Sequence, residues 1–262
     1  MKAKAALGLI LATLCLVPQA GWAQAGELKP VKLNEPNKMR GLPLMQALAV
    51  RASVRDWSDK DLSLQDLSDL LWAANGVNRP DIKKRTAASA MNAQDVAIYV
   101  FTKDGVYLYD AAGHALVPVA AGDRRSEIAM ARPGGPGRPP GDKPEGKPEG
   151  MPPGAKPEGA PPDAKPQTLP PGPPGGGRPS QAPVQLVLVS DSSRFGGGTP
   201  EQKCEWGAID TGIVSQNIAL FCAATGLGTR PRAAIAKDKL KALLKLTDAQ
   251  HPFLEHPVGY LK

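Results

Sequence analysis

Apolar residues recur at helical spacing in the segment that follows Leu62. Ser63 precedes this pattern and Asp66 stands three residues later, which is the arrangement of a helix N-cap. Gly76 follows the last apolar position and is typical of a helix end. The pattern therefore predicts a helix between Ser63 and Gly76. Its apolar face consists of Leu64, Leu67, Leu70, Leu71 and Ala74.

Short runs of β-branched and aromatic residues indicate strands further along the chain. Residues 95–102, 106–109 and 114–119 are three such runs, and turn signals lie between them. These runs predict an antiparallel meander. Residues 184–191 form the most apolar run of this kind, so we expect it in the centre of the sheet.

Two further helices are predicted near the end of the chain. Residues 206–224 are apolar on most of the helical surface, which predicts burial in a core or in an interface. Residues 237–246 are amphipathic. The inward face of that helix is formed by Leu240, Leu243 and Leu244. Residues 26–45 and 256–262 are expected to be extended.

Proline and glycine are concentrated in one segment of the 262-residue chain. Residues 132–183 contain 30 prolines and glycines in 52 positions, and Lys-Pro-Glu-Gly recurs three times. Because proline lacks an N–H and glycine loses much backbone entropy on ordering, we predict a disordered insertion. It divides one domain into residues 26–131 and residues 184–262. A spacer role is favoured over binding to a cell wall or to a partner.

Residues 1–25 have the pattern of an export signal. Two lysines precede an apolar run at 5–17, and Ala23 and Ala25 supply the small residues of a cleavage site. A buried N-terminal helix is the alternative. The signal predicts a periplasmic or secreted protein. No later segment reaches about 18 consecutive apolar residues, so we expect no membrane anchor.

The formal net charge of +7 comes largely from these two appendages. Residues 1–25 carry +2 and residues 132–183 carry another +2, which leaves +3 on the rest of the chain. So small an excess of positive charge does not favour a nucleic-acid partner.

Cys204 and Cys222 remain once the signal is removed. Cys204 is expected just before the helix at 206–224 and Cys222 near its end, so about 27 Å would separate them at 1.5 Å per residue. A disulfide requires Cα atoms within about 7 Å. We therefore predict no disulfide between them and no metal site formed by them.

Arg51, Ser53 and Arg55 occupy alternate positions just before a region predicted to be helical. In an extended chain their side chains point the same way and form a cradle suited to one phosphate. A solvated charged turn is the alternative interpretation.

Two more clusters have a chemical interpretation. Ser89, Asn92 and Gln94 precede the strand at 95–102, and their donors and acceptors can bind the edge of a heterocycle, although a capped turn explains them too. The third cluster follows the helix at 206–224 and permits close approach to a flat ligand, although a helix C-cap is the simpler explanation. Its members are Gly226, Leu227 and Gly228.

Taken in this order, the clusters resemble the nitroreductase family of flavin enzymes. The resemblance is to exported members related to the dehydrogenases of thiazole/oxazole peptide maturation. It covers nearly all of residues 45–125 and 184–262. The segments that carry it are RASVRDW, LLWAANGVNRP, KRTAASAMNAQ, GVYLYD, WGAIDTGIVSQNIALFCAATGLGT and HPVGY.

The resemblance implies an α+β fold, with a mixed sheet wrapped by helices and an intertwined homodimer that binds FMN at its interface. Arg51, Ser53 and Arg55 would then hold the phosphate and ribityl chain. Asn92 would contact the isoalloxazine ring, with Ser89 and Gln94 nearby. Gly226, Leu227 and Gly228 would pass beside the flavin, and the helix at 206–224 would form the dimer core.

Four departures from the family pattern are visible. Ala88 stands where many members have proline, and Leu261 replaces the proline of a VGYP tail. Many members carry a phosphate-binding basic residue near the C-terminus, and only Lys262 is available here. The insertion at 132–183 occupies a region that often shapes the substrate pocket.

The function implied is that of an FMN-dependent oxidoreductase, which passes a hydride through flavin N5 from a small-molecule donor to an acceptor. Because the cofactor performs the chemistry, no catalytic side chain is assigned. A non-catalytic flavin-binding or structural dimer is the alternative, and a proline-rich interaction protein is a third class. His114, His251 and His256 show no metal-ligand spacing and are interpreted as surface or capping residues.

Overall fold

The computed structural model describes residues 28–130 and 181–262. These residues form four α-helices and nine strands. The helices are α1 (Leu44–Val50), α2 (Leu64–Asn75), α3 (Pro200–Thr225) and α4 (Lys237–Leu244). The strands are β1 (Val31–Lys32), β2 (Val77–Arg79), β3 (Lys84–Arg85), β4 (Val96–Phe101), β5 (Gly105–Asp110), β6 (Ala115–Ala121), β7 (Val184–Asp191), β8 (Leu227–Thr229) and β9 (Gln250–Tyr260).

Seven strands form one sheet in the order β1-β6-β5-β4-β7-β9-β8, and β2 pairs with β3 separately. The predicted meander is confirmed as β4, β5 and β6. Strand β7 lies between β4 and β9 with seven of its eight residues buried, so its predicted central place is also confirmed. Every pairing among the described strands is antiparallel, so the parallel contacts of a mixed sheet do not occur among them. In the meander the antiparallel pairing follows from the short hairpins, because each hairpin reverses the direction of the chain.

Apolar layers cover both faces of the sheet. On one face, buried residues of α2 and α3 such as Leu70 and Ile218 pack with sheet residues such as Ile98 and Leu186. On the other face, Leu240 and Leu244 of α4 pack against a second cluster. The alternation of side chains along β4 and β7 explains this arrangement, because successive residues point to opposite faces.

Helix α2 begins and ends as predicted. The Ser63 side chain accepts a hydrogen bond from the backbone N–H of Asp66, and Gly76 is the C-cap. Helix α4 also matches its prediction, although it ends at Leu244.

Helix α3 begins six residues earlier than predicted. Thr199 and Gln202 form a reciprocal capping box, and Pro200 occupies the first turn. Cys204 therefore lies within the helix rather than before it. Both described cysteines are free, so the prediction of no disulfide is confirmed.

The prediction of an extended lead-in missed α1 and β1. Strand β1 pairs with the first two residues of β6, and α1 packs against α3. Helix α1 has only seven residues and Ala47 is its one buried side chain, so its apolar pattern carries no clear period. The final residues are extended as predicted, but they belong to β9, which begins at Gln250.

The predicted export signal at 1–25 lies outside the described residues, as does most of the predicted insertion at 132–183. Ala182 and Pro183 are described, and their carbonyl oxygens accept hydrogen bonds from Arg125. Ala182 is buried, so this end of the predicted insertion packs with the domain. Among residues 28–130 and 181–262, no helix combines the length and apolar character needed to cross a bilayer.

Candidate functional site

Arg51, Ser53 and Arg55 lie on an extended segment directly after α1, not before a helical region as predicted. Their side chains are exposed, whereas Ala52 and Val54 between them are partly buried. This alternation places the three polar side chains on one side of the segment. The backbone N–H of Val54 donates to the carbonyl oxygen of Thr229 at 2.9 Å, which fixes the segment against β8.

The glycine cluster lies beside this segment. Gly226 ends α3 in the left-handed conformation at a φ of 75°. The Trp57 indole donates to the Gly228 carbonyl oxygen at 2.9 Å. A Cβ at Gly228 would lie 2.7 Å from Leu261 and 2.9 Å from Val54, so residues of the same chain fill the space beside it. Leu227 is buried in the core and can offer a ligand only its backbone.

The second polar cluster forms a tightly bonded loop. Met91, Asn92 and Gln94 all have positive φ, and the Ser89 hydroxyl accepts from the Gln94 backbone N–H at 2.7 Å. The Gln94 side chain accepts from Arg85 Nε and donates to the Lys83 carbonyl oxygen. Ser89 and Gln94 therefore shape the loop. Asn92 is exposed, and among the described residues its carboxamide makes one long contact of 3.4 Å, with Gln94 Nε2.

Within one chain the loop is remote from the other two clusters. Its Ala90 N–H donates to Asp210 Oδ2 at 2.8 Å, which anchors the loop on the first half of α3. Gly226 caps the opposite end of that helix, about 24 Å away at 1.5 Å per residue. The structure thus brings together the first and third clusters and leaves the second apart.

A cleft of about 220 Å³ lies beside the loop. Arg85, Gln94, Tyr99 and Arg194 are among the residues that line it. Small-molecule sites usually have about 300–1,000 Å³. This cleft is therefore smaller than a typical site for a large cofactor.

Two arginines near Arg55 escaped the sequence prediction. Arg230 and Arg232 follow β8, and burial together with the positive charges of Arg232 and Arg55 lowers the pKa of Arg230. Arg232 is neutralised by buried Glu255, with Nε to Oε2 at 2.9 Å. Burial raises the pKa of Glu255 even though Arg232 opposes the shift. The Nε of Arg230 is buried without a hydrogen-bond partner among the described residues.

Arg230 therefore supplies positive charge beside the Arg51–Arg55 segment. The sequence signal was the pair of arginines around Pro231, directly after Gly228 and Thr229. Lys262, the basic residue considered at the C-terminus, instead forms an ion pair with Asp56 at 3.1 Å.

His256 is fully buried, so its interpretation as a surface or capping residue is wrong. Its Nδ1 lies 3.2 Å from the Thr229 hydroxyl, and its Nε2 lies 2.8 Å from the Ser215 hydroxyl. Thr229 donates its only hydroxyl hydrogen to the Pro257 carbonyl oxygen, so it accepts from Nδ1–H, and Ser215 donates to Nε2. Burial lowers the pKa of His256 to about 3 and keeps the ring neutral. This chain of hydrogen bonds joins α3, β8 and β9 beneath the glycine cluster.

Comparisons with known proteins identify the family. The model of the nitroreductase family matches residues 48–260. The chain belongs to the nitroreductase family. A Methanocaldococcus jannaschii protein named "Putative nitroreductase" is 24% identical over 240 residues, which are 89% of this chain and 98% of that protein.

Two solved structures show the shared fold of this family member. A crystal structure titled as a putative nitroreductase, from Ralstonia eutropha, is 26% identical with a TM-score of 0.68, and the match covers 94% of this chain and 95% of that one. The E. coli microcin synthetase McbBCD complex has a TM-score of 0.55 at 14% identity, with 96% of this chain and 85% of that chain covered. The expected α+β nitroreductase fold is thus confirmed, and family membership supports a flavin-type oxidoreductase.

Proposed function

We propose that this nitroreductase-family protein is an FMN-dependent oxidoreductase that acts as a homodimer. The observation that carries the proposal is the set of basic groups beside β8. Arg51, Ser53 and Arg55 share one exposed side of their segment, and the unpartnered Arg230 Nε lies close to Arg55. Positive charges held close together in a partly buried place favour the binding of an anion between them. Guanidinium groups bind phosphate oxygens well, because their donors match the geometry of the phosphate.

The FMN phosphate would bind to Arg51, Ser53, Arg55 and Arg230. The backbone of Gly226 to Gly228 would lie along the flavin, although the Gly228 Cα faces the protein's own Trp57. Asn92 would contact the ring edge, because it is the exposed polar side chain of a loop whose other members are bonded internally. Ser89 and Gln94 would act by holding that loop.

A second copy of the chain would supply the loop at 89–94. Two α3 helices that cross in opposite directions about a two-fold axis place the first half of one near the end of the other, which would offset the separation of about 24 Å. The outer face of α3 suits such a crossing. Ala208 and Gly212 are small and exposed, no atom lies within 4 Å of a Cβ at Gly212, and Ile209 is 55% exposed.

Helix α1 presents a second exposed apolar surface, near the end of α3. Leu44, Met45 and Leu48 are exposed by 44–75% in the single chain, and Leu42 lies just before them. A contiguous apolar surface of this kind marks a protein interface. We therefore assign α1 and the outer face of α3 to the dimer contact.

Bound FMN would supply hydride transfer through its N5 atom. This chain would bind the phosphate, orient the ring through Asn92 and exclude water between subunits. No side-chain base is required for that role, and none is assigned. Donor and acceptor would use the same face in turn, so steady-state kinetics of the ping-pong type are expected.

The cofactor proposal is tested by titrating the purified protein with FMN and with riboflavin, which lacks the phosphate. Arg55→Ala and Arg230→Ala should each weaken FMN binding about 10- to 100-fold, the value of a charge-assisted hydrogen bond, and leave riboflavin binding unchanged. Asn92→Ala should weaken both ligands equally. Arg124→Ala is the charge control, because Arg124 lies on an exposed turn and pairs with Glu127.

Absence of a flavin absorption band, together with no binding of added FMN, would overturn the proposal. Bound flavin that neither accepts electrons from any reductant under anaerobic conditions nor passes them on would instead support the non-catalytic alternative. Ile209→Glu should yield a monomer with weakened FMN binding in sedimentation experiments. A monomeric wild type that binds FMN fully would contradict the shared site.

We also propose that residues 1–25 direct export and are then removed. The pattern of charge, apolar run and small residues supports this proposal. N-terminal sequencing of the protein from the periplasm checks it, and an intact Met1 in the cytoplasmic fraction would contradict it. Nicotinamide cofactors are expected to be scarce outside the cytoplasm, so a different electron donor is anticipated.

A further inference from the structure

Two carboxyl groups meet beneath the loop at 89–94. Asp95 follows the loop directly, Asp210 lies on α3, and each is only 2% exposed. The two side chains are within hydrogen-bonding reach of each other. Carboxylates buried this closely cannot both be ionised without a large electrostatic cost.

The hydrogen bonds around the pair leave one position open for a proton. Ser190 Oγ donates to Asp95 Oδ2 at 2.5 Å, and the Ala90 N–H donates to Asp210 Oδ2 at 2.8 Å. Asp95 Oδ1 is buried and has no partner among the described residues. A proton on that oxygen, donated to Asp210, would satisfy both groups.

The pair lies where α3 packs closely against the sheet. A Cβ at Gly207 would lie 2.2 Å from Ser190 Oγ, so α3 and β7 are in direct contact here. Burial and then the negative charge of Asp210 raise the pKa of Asp95 to about 7. The proton is therefore held up to neutral pH.

Four other charged or titratable groups surround the pair. Arg85 on β3 is attracted to Asp95, but its Nε is bonded to Gln94. Arg194 follows β7 and donates its Nε to the Ala93 carbonyl oxygen. Asp191 ends β7, and His251 on β9 pairs with Ser190 across the sheet. Burial and nearby lysines lower the pKa of His251.

The loop depends on this anchor because its backbone is strained. Met91, Asn92 and Gln94 occupy the left-handed region, which costs an ordinary residue free energy. The bond from Ala90 to Asp210 holds the first residue of this strained turn, and the backbone of Asp95 continues from its last residue. The pair is therefore connected to both ends of the turn.

We propose that Asp95 and Asp210 share a single proton and act as positioning residues for the loop at 89–94, so that loss of this proton loosens the loop. Loosening of the loop would also weaken flavin binding. This part of the proposal rests on the proposed function, because Asn92 of the same loop would contact the flavin ring. The loop itself is a property of the chain and can be measured without flavin.

The experiment compares wild type with Asp95→Asn, in which an amide donates permanently where the proton would stand. Hydrogen exchange of the Ala90 amide, corrected for the intrinsic rate, should accelerate about tenfold between pH 6 and pH 9 in wild type, the factor that about 1.4 kcal/mol produces. It should stay within about twofold in Asp95→Asn and in the second variant, Asp210→Asn. His251→Asn is the control and should keep the wild-type profile.

The same proteins then report on flavin. The Kd of wild type for FMN should rise about tenfold over this range relative to the Kd of Asp95→Asn. Titration of the FMN phosphate is common to both proteins and cancels. Identical pH profiles of Ala90 exchange in wild type and in both Asn variants would overturn the proposal. If no form binds FMN, the proposed function fails, while Ala90 exchange still decides whether the proton is shared.

Discussion

Trp57 donates its indole hydrogen to the carbonyl oxygen of Gly228 across 171 residues of sequence. Because Trp57 is 3% exposed, this bond is shielded from water and holds the Arg51–Arg55 segment against β8. The position of Arg51 and Arg55 therefore depends on Gly228. A larger residue there would collide with Trp57 and Leu261 of the same chain.

Replacing Gly228 by alanine should destabilise the protein. The new methyl group would lie 2.7 Å from Leu261 Cδ2 and 3.1 Å from the Trp57 indole nitrogen, so one of them must move. Overpacking of this kind costs about 1–3 kcal/mol in the free energy of unfolding, measured in urea. Gly197→Ala is the control, because no atom lies within 4 Å of its added methyl. Equal stability of the two variants would contradict this packing argument.

His256 should make stability fall in acid. The pKa of this residue is about 3 in the folded protein, so below about pH 6.5 the unfolded chain binds a proton that the folded chain does not. Its contribution is fully present above pH 6.5 and is lost as the pH falls, by about 1.4 kcal/mol per unit. His256→Gln lacks this titration, so its difference from wild type in unfolding free energy should shrink between pH 6 and pH 4. A constant difference would show that the ring is already charged or hydrated.

Asp95 should make the free energy of unfolding fall as the pH rises, which is the opposite of the effect of His256. Its folded pKa of about 7 lies above its unfolded value, so between about pH 4 and pH 7 the folded chain retains a proton that the unfolded chain loses. Stability therefore declines as the pH rises through this window and levels off above it. Since the effects of His256 and Asp95 oppose each other in wild type, the free energy of unfolding of Asp95→Asn relative to wild type is the informative quantity, and it should increase from pH 4 to pH 7. A difference that does not change with pH would rule out a retained proton.

Arg40 should stabilise the contact between the segment before α1 and helix α2. It forms ion pairs with Asp66 at 2.7 Å and Asp69 at 2.8 Å, and Asp69 is almost fully buried. Arg40→Met should lower the free energy of unfolding by about 1–3 kcal/mol, because it leaves these carboxylates without their charged partner. Lys103→Met is the control and should have little effect, since the pair of Lys103 with Asp61 is exposed on both sides. An equal decrease in the free energy of unfolding in both variants would contradict a stronger contribution from the ion pairs of Arg40.

The two free thiols should differ in reactivity. Cys222 is 1% exposed and burial raises the pKa of its thiol, whereas Cys204 is partly exposed. Because the thiolate is the reactive form, an alkylating reagent should add once to the native unreduced protein lacking residues 1–25, and twice after that protein is unfolded. Intact mass measures this, and an unfolded, unreduced protein that takes no label would reveal a disulfide.

Local patterns were sufficient where a residue's role depends on its neighbours in sequence. The Ser63 cap, the meander and the buried strand at 184–191 were all predicted, because periodicity and turn residues express the same alternation of faces that the sheet requires. The short helix α1 was missed because seven residues with one buried side chain carry too little periodic signal. The early start of α3 was recognisable in the capping pair Thr199 and Gln202.

The sequence by itself determined α2, α4, the meander and the central strand β7, the exposed alternation of Arg51, Ser53 and Arg55, and the resemblance to nitroreductases that the family match confirmed. Only the tertiary structure decided that His256 is buried, that Arg232 is bonded to Glu255 while the Nε of Arg230 has no hydrogen-bond partner among the described residues, and that Asp95 meets Asp210. The physical reason is that charge and burial depend on partners that lie far apart in the chain. Asp95 and Asp210 are separated by 115 positions, and only the packing of α3 against β7 places their carboxyl groups together.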